Sequence, residues 1–226
     1  MFWSLVKLNL LFCLSALPSA ALLFIGIFSP YRELLFLLSL ALAFPIGGAC
    51  TACMFCITKM LRRDAGYLWY DFKRKLKENV KQAAAPGILG TAFIYAQVYI
   101  WQDFMSEGAG FAWMIASLVP LAIFGMVMPY IFLQIAYIQL KTLQILKNSL
   151  ILSFGNTGKS FVGALAGSVI WLVFALFLPH SLPFSPLLLL FGFSVSWLLC
   201  LMCIWPIVDK QFAISETLRG QQKGVP

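Results

Sequence analysis

The feature that most restricts the fold is where the charge lies. Six long apolar runs, at about 9–28, 34–60, 84–102, 111–140, 161–178 and 184–208, hold almost none of it, and the segments between them hold nearly all. A run of ~20 apolar residues crosses a ~30 Å hydrocarbon core as a helix, because a helix satisfies its own backbone in lipid. Only 11% of the residues are charged and 62% are apolar, whereas soluble domains carry about 25% charged residues. The expected fold class is therefore all-α: a polytopic membrane protein with a six-helix transmembrane bundle, in a single membrane domain over 1–226. The first run also has the layout of a signal peptide, with Lys7 before Leu17-Pro18-Ser19-Ala20. It stays apolar well past Ala20, so a retained span is expected.

The basic residues set the orientation. With both termini on one side of six spans, that side carries 15 of the 16 lysines and arginines, and the other carries only Arg32. The positive-inside rule places the 15 in the cytoplasm. The net charge of +8 then reads as topology, and the expected partner is the lipid bilayer, not nucleic acid.

The linker after the second run is itself patterned. At ~100° per residue, Leu68, Phe72, Leu76, Val80 and Ala83 share one arc of a helix over 68–82. Lys73, Arg74, Lys77 and Lys81 share the adjoining arc. Such a helix lies along a membrane surface with its cations toward phosphates. The reading expects an amphipathic cytoplasmic helix nearly perpendicular to the second span, entered by a turn at Asp64–Gly66. Lys73, Arg74, Lys77, Lys81, Trp69 and Phe72 would contact anionic lipid headgroups or a partner, with Phe72, Leu76 and Val80 packing on the cytoplasmic ends of the spans or dipping into the headgroup boundary. Asn79 falls in the apolar arc, where its amide needs a hydrogen-bond partner inside the protein.

Inside the runs, small residues mark packing and amides mark polar contacts. Pro45 should kink the second span, and Gly47, Gly48 and Thr51 should let another helix approach closely. Gln97 and Gln134 are the notable interior amides. All eight acids lie in linkers or at span ends, which leaves no mid-membrane proton relay. Cys50, Cys53 and Cys56 share one helix face, and Cys200 and Cys203 lie at a similar depth. Five thiols would suit a soft metal if they converged, but small apolar packing residues are the expectation. Neither disulfides nor a metal or cofactor site is expected. Gly155-Asn156-Thr157-Gly158-Lys159-Ser160 ends like a phosphate-binding loop, but Ser153 stands where the motif needs its first glycine. A weak duplication is also visible: two inward spans each lead through a basic linker to Gly87-x-x-Gly90 or Gly155-x-x-Gly158.

The first 85 or so residues resemble the YesL-like family of bacterial integral membrane proteins, which is defined by sequence and has no assigned activity. The resemblance lies in Asn9-Leu10-Leu11 leading to Leu17-Pro18, and in Gly48-Ala49-Cys50-Thr51-Ala52 leading to Lys59-Met60-Leu61-Arg62-Arg63. It lies also in Gly66-Tyr67-Leu68-Trp69-Tyr70-Asp71-Phe72 with Lys77-Glu78-Asn79-Val80-Lys81-Gln82-Ala83. It implies a bacterial plasma-membrane protein working near carbohydrate uptake, and it implies no catalytic residues. The expected function is a non-enzymatic accessory or interaction protein, with a sugar transporter subunit as partner. The alternative is a small permease for a polar substrate, which would need a polar cavity reaching Gln97 or Gln134.

The topology is testable. Single cysteines placed at Arg32, Asp103 and His180 in a cysteine-free variant should react with an impermeant maleimide in whole cells. Labelling of all three only after lysis would reverse the orientation.

Overall fold

The computed structural model describes residues 2–64, 66–107, 111–138, 140–176 and 185–217. His180, Arg219 and Lys223 lie outside them. Every regular element among the described residues is helical. In chain order these are α1 (Phe2–Ile27), α2 (Arg32–Leu42), α3 (Phe44–Leu61), α4 (Leu68–Glu107), α5 (Phe111–Tyr137), α6 (Thr142–Gly155) and α7 (Thr157–Leu176). Then come α8 (Ser185–Leu187), a π-helical turn (Leu188–Gly192) and α9 (Phe193–Phe212). Six stretches are long and apolar enough to cross a membrane: Phe2–Gly26, Phe44–Leu61, Leu68–Trp101, Ala116–Tyr137, Thr157–Phe174 and Leu188–Phe212. The chain is an all-α, multi-pass membrane protein.

The second apolar run is two helices. α2 ends at Leu42, and α3 starts at Phe44 with Pro45 in its first turn. Proline has no N–H to donate to residue 41, so the ladder breaks there. The Ala43 N–H closes α2 on the Leu40 carbonyl at 3.1 Å. α2 lies along α1, where the Ser19 hydroxyl donates to the Ser39 carbonyl at 2.9 Å. Phe36 stacks on Tyr95 of α4 with ring centroids 4.0 Å apart.

The linker helix is neither separate nor perpendicular, contrary to the sequence reading. α4 is one rod of 40 residues, ~60 Å long. Residues 68–82 form its first turns, and the third span continues from them. It runs antiparallel to α3: Asp71 faces Lys59, Val80 faces Gly48, and Ala83 and Gly87 face Gly47. The reason is in the sequence between the two segments. Ala83-Ala84-Ala85 favours helix, and Pro86 removes only the bond to the Gln82 carbonyl. The apolar arc that would have faced headgroups is filled by α3.

Glycines permit this contact. A Cβ on Gly47 would collide with the Ala83 carbonyl, and one on Gly87 would lie 2.5 Å from the Gly47 nitrogen. A Cβ on Gly48 would come within 3.1 Å of the Val80 Cα. α3 is accordingly buried at Gly47 through Met54 and at Cys56, Ile57 and Thr58. It packs on α1, α4, α5 and α9. The turn leaving α3 also differs from expectation: Arg63, with φ 58°, takes the left-handed conformation, not Gly66.

Asn9 of α1 holds the π-helical turn. Its side chain is fully buried, its Nδ2 donates to the Leu189 carbonyl at 2.6 Å, and its Oδ1 accepts the Ser194 N–H at 2.9 Å. A π turn displaces helical hydrogen bonds, and the amide satisfies one group within it and one just after it. The two Gly-x-x-Gly pairs of the weak duplication sit in different settings. Gly87 and Gly90 lie inside α4 against Gly47 and Met128, whereas Gly155 and Gly158 flank the α6–α7 break in open space.

These glycines give a paired test. Gly47→Ala should lower the thermal midpoint in mild detergent, because the overpacking costs ~1–3 kcal/mol or more. Gly158→Ala should shift stability by less than about 1 kcal/mol. Equal shifts would contradict the close α3–α4 contact.

Candidate functional site: the α3–α4 hairpin

The hairpin is fastened at its turn by charge. Lys59 Nζ lies 2.6 Å from Asp71 Oδ2, and Arg74 Nη2 lies 3.3 Å from Asp71 Oδ1. The Asp71 side chain is 8% accessible, so it needs these partners. Gly66 leaves the space: a Cβ there would strike Lys59 Nζ and come within 2.7 Å of Asp71 Oδ2. Lys75 pairs with Glu78 at 2.9 Å, and Arg74 approaches the same carboxylate at 3.9 Å. Both acids of this segment are thereby engaged, and Arg74 also lies over the Tyr70 ring.

Next to this cluster sits a further cation. Arg62 pairs with Asp64 at 3.0 Å, and its guanidinium carbon lies 5.5 Å from the ring centroids of both Tyr137 and Trp205. Its Nε and Nη1 are buried without a hydrogen-bond acceptor; the two π faces stabilise the charge instead. The Tyr137 hydroxyl bonds Thr58 of α3, and Gln82 Nε2 donates to the Leu140 carbonyl at 2.6 Å. The end of α5 is thus tied to both arms of the hairpin.

The predicted contact residues separate into two sets. Lys73, Lys77 and Lys81 are exposed and make no ion pair among the described residues. At i, i+4 and i+8 they form one row about 12 Å long. Trp69 is 61% exposed. Phe72 is only 3% exposed and belongs to the core, so of its two expected settings it takes the packing against a span and not the surface contact. It lies on the arc that α3 covers. Arg74 is half-exposed and turned toward Asp71.

The predicted polar residues do not converge. Asn79 Nδ2 is buried with no partner, against the expected internal bond. Gln134 is fully buried and donates Nε2 to Ser149 Oγ at 2.8 Å, leaving Oε1 without a donor. Gln97 is 8% exposed, with Oε1 likewise unpaired. The cysteines are all free. Cys53 donates to the Leu8 carbonyl, while Cys200 and Cys203 line α7 at Gly163 and Gly167. Among the described residues, no group of three His, Cys, Asp or Glu side chains is placed to hold a metal. The loop-like Gly155–Ser160 segment is a helix junction, and the Ser160 hydroxyl turns inward to Tyr130 at 2.8 Å.

Sequence reasoning missed Asp71, Arg62 and Asn9. Asp71 had one available signal: it is the first acid after Arg62-Arg63-Asp64 and stands five residues from Gly66, so it can fold back on α3. No family model matches the chain, and no curated protein or solved structure matches it either.

The fastening predicts a coupling. Asp71→Asn and Lys59→Gln should each destabilise the protein, and the double variant should lose less than the sum of the two. The interaction energy should fall between about 0.5 and 3 kcal/mol. Lys77→Gln should change stability by no more than about 0.5 kcal/mol. Additive losses at Asp71 and Lys59 would show that the pair does not fasten the turn.

Proposed function

We propose that this protein is a non-enzymatic accessory or interaction subunit of the bacterial plasma membrane, with both termini in the cytoplasm, serving a carbohydrate transporter. One observation carries the interaction role. The row Lys73, Lys77, Lys81 is held outward on a rigid hairpin, while every acid on that segment is paired elsewhere. Like charges at i, i+4 are mildly destabilising to a helix, so the row does nothing for the fold itself. An anionic lipid surface or an acidic partner segment stabilises it by ~1 kcal/mol per cation near a charged surface, less at high salt. The bacterial membrane and the carbohydrate link rest on the resemblance to the YesL-like family, and hence on the residues quoted for it alone.

The permease reading called for a polar cavity at Gln97 or Gln134. Neither of the two described clefts is lined by either glutamine, and Gln134 is fully buried.

The test leaves Arg74 in place, since it pairs with Asp71. Lys73→Gln, Lys77→Gln and Lys81→Gln together should insert normally, because Lys59, Arg62 and Arg63 still supply the cytoplasmic signal. The variant should recover less of a co-purifying transporter subunit in a mild-detergent pull-down read by mass spectrometry. Recovery of the same partners at the same yield as the native protein would overturn the role of the row. Absence of any transporter subunit from the native pull-down would overturn the transport link.

A further inference from the structure

A groove of about 430 Å³ lies between the N-terminal part of α1 and the start of α4. Lys7, Leu10 and Leu14 line it from α1, and Tyr67 and Trp69 from the other side. Positions 7, 10 and 14 fall on one stripe of a helix, about 10 Å long. The groove therefore has a charged end and an apolar length. Its apolar walls are open: Leu14 is 68% exposed and Trp69 61%. Lys7 is exposed too, and it has no ion-pair partner among the described residues.

We propose that this groove seats one anionic phospholipid of the cytoplasmic leaflet. The Lys7 ammonium pairs with the lipid phosphate, an acyl chain lies along Leu10 and Leu14, and the rings of Tyr67 and Trp69 sit at the glycerol level. The chemistry follows from the order of groups. α1 is a membrane-crossing stretch, so its apolar stripe meets acyl chains and its lysine meets headgroups. Interfacial Trp and Tyr favour that boundary, and a basic pocket between spans on the cytoplasmic side selects acidic headgroups. The unpaired cation commits the site to an anionic lipid over a zwitterionic one. The first turn of α4 closes the same end, and its leading N–H groups have no intrahelical acceptor. The leaflet rests on the orientation proposed above. The site itself does not, and it shares no residue with the lysine row.

Native mass spectrometry of the full chain in mild detergent tests this, with dioleoyl phosphatidylglycerol and dioleoyl phosphatidylcholine as probes. The native protein should bind a first phosphatidylglycerol in preference to phosphatidylcholine. Lys7→Gln should weaken that first binding about fivefold, the factor corresponding to ~1 kcal/mol, and leave phosphatidylcholine unchanged. Lys7→Arg should retain it, and Leu14→Trp should fill the groove and weaken both lipids. The triple Lys73→Gln, Lys77→Gln, Lys81→Gln variant should keep the first phosphatidylglycerol. Unchanged binding in both Lys7→Gln and Leu14→Trp, or loss of the first lipid in the triple variant, would overturn the seat. A micelle has no leaflets, so a failed orientation appears only in maleimide labelling and a failed seat only here.

Discussion

The architecture depends on how closely α3 and α4 approach. Lipid tails are as apolar as leucine, so spans gain nothing by hiding apolar surface from them; association rests on dispersion contacts and hydrogen bonds. Dispersion falls steeply with distance, which makes side-chain-free backbone the best surface for contact. Gly47 and Gly87 place two backbones against each other, and Ala83 and Gly48 extend the contact by a turn. Twelve residues further along α3, Lys59 reaches Asp71. The two helices are therefore joined at both ends of a segment ~18 Å long, by packing at one end and charge at the other.

That junction determines what α4 can present. Once α3 covers Phe72 and the Gly48-facing side of Leu76 and Val80, only the basic arc and the leading aromatics remain outward. An apolar arc at helical spacing is satisfied equally by headgroup boundary and by a neighbouring helix. Periodicity is the same in both cases, so the wheel alone had no means to choose. The glycine stripe at 47 and 48 was visible in the sequence, and so was the amphipathic arc at 68–83. Their match to each other was not, because it depends on register between segments 30 or so residues apart.

The same distinction separates the other features. Helical content, the six crossing stretches and the exposure of the lysines follow from composition and local chemistry, and were legible; Pro45 announced a kink, and the run is in fact divided into two helices there. The continuity of α4 past Pro86, the left-handed Arg63, the Asp71 cluster and the aromatic flanks of Arg62 come from tertiary contacts. Asn9 is the clearest case. Its partners are the Leu189 carbonyl and the Ser194 N–H, which become available only because a π turn interrupts the last crossing stretch. Nothing around residue 9 in sequence announces that need. Position alone points to Asn79, Gln97 and Gln134 as the polar anchors, yet each leaves a buried atom without a partner.

The lysine row is informative because topology does not require it. Orientation depends on how many cations lie near the span ends, not on which face of a helix they occupy. Lys59, Arg62 and Arg63 already supply such cations, and the fold uses two of these three in Asp71 and Asp64 pairs. On the first turns of α4 the acids, Asp71 and Glu78, pair with Lys59, Arg74 and Lys75. Lys73, Lys77 and Lys81 remain aligned and unpaired among the described residues. The row, ~12 Å long, slightly exceeds a Debye length of ~8–10 Å at moderate salt. Its charges therefore act on one surface as a group while remaining salt-sensitive. A scattered set of the same three charges would satisfy the positive-inside rule equally well. Alignment on the arc beside the α3 contact adds only one physical property, a directed cationic stripe, and it is this property that the proposed contact with an anionic surface uses.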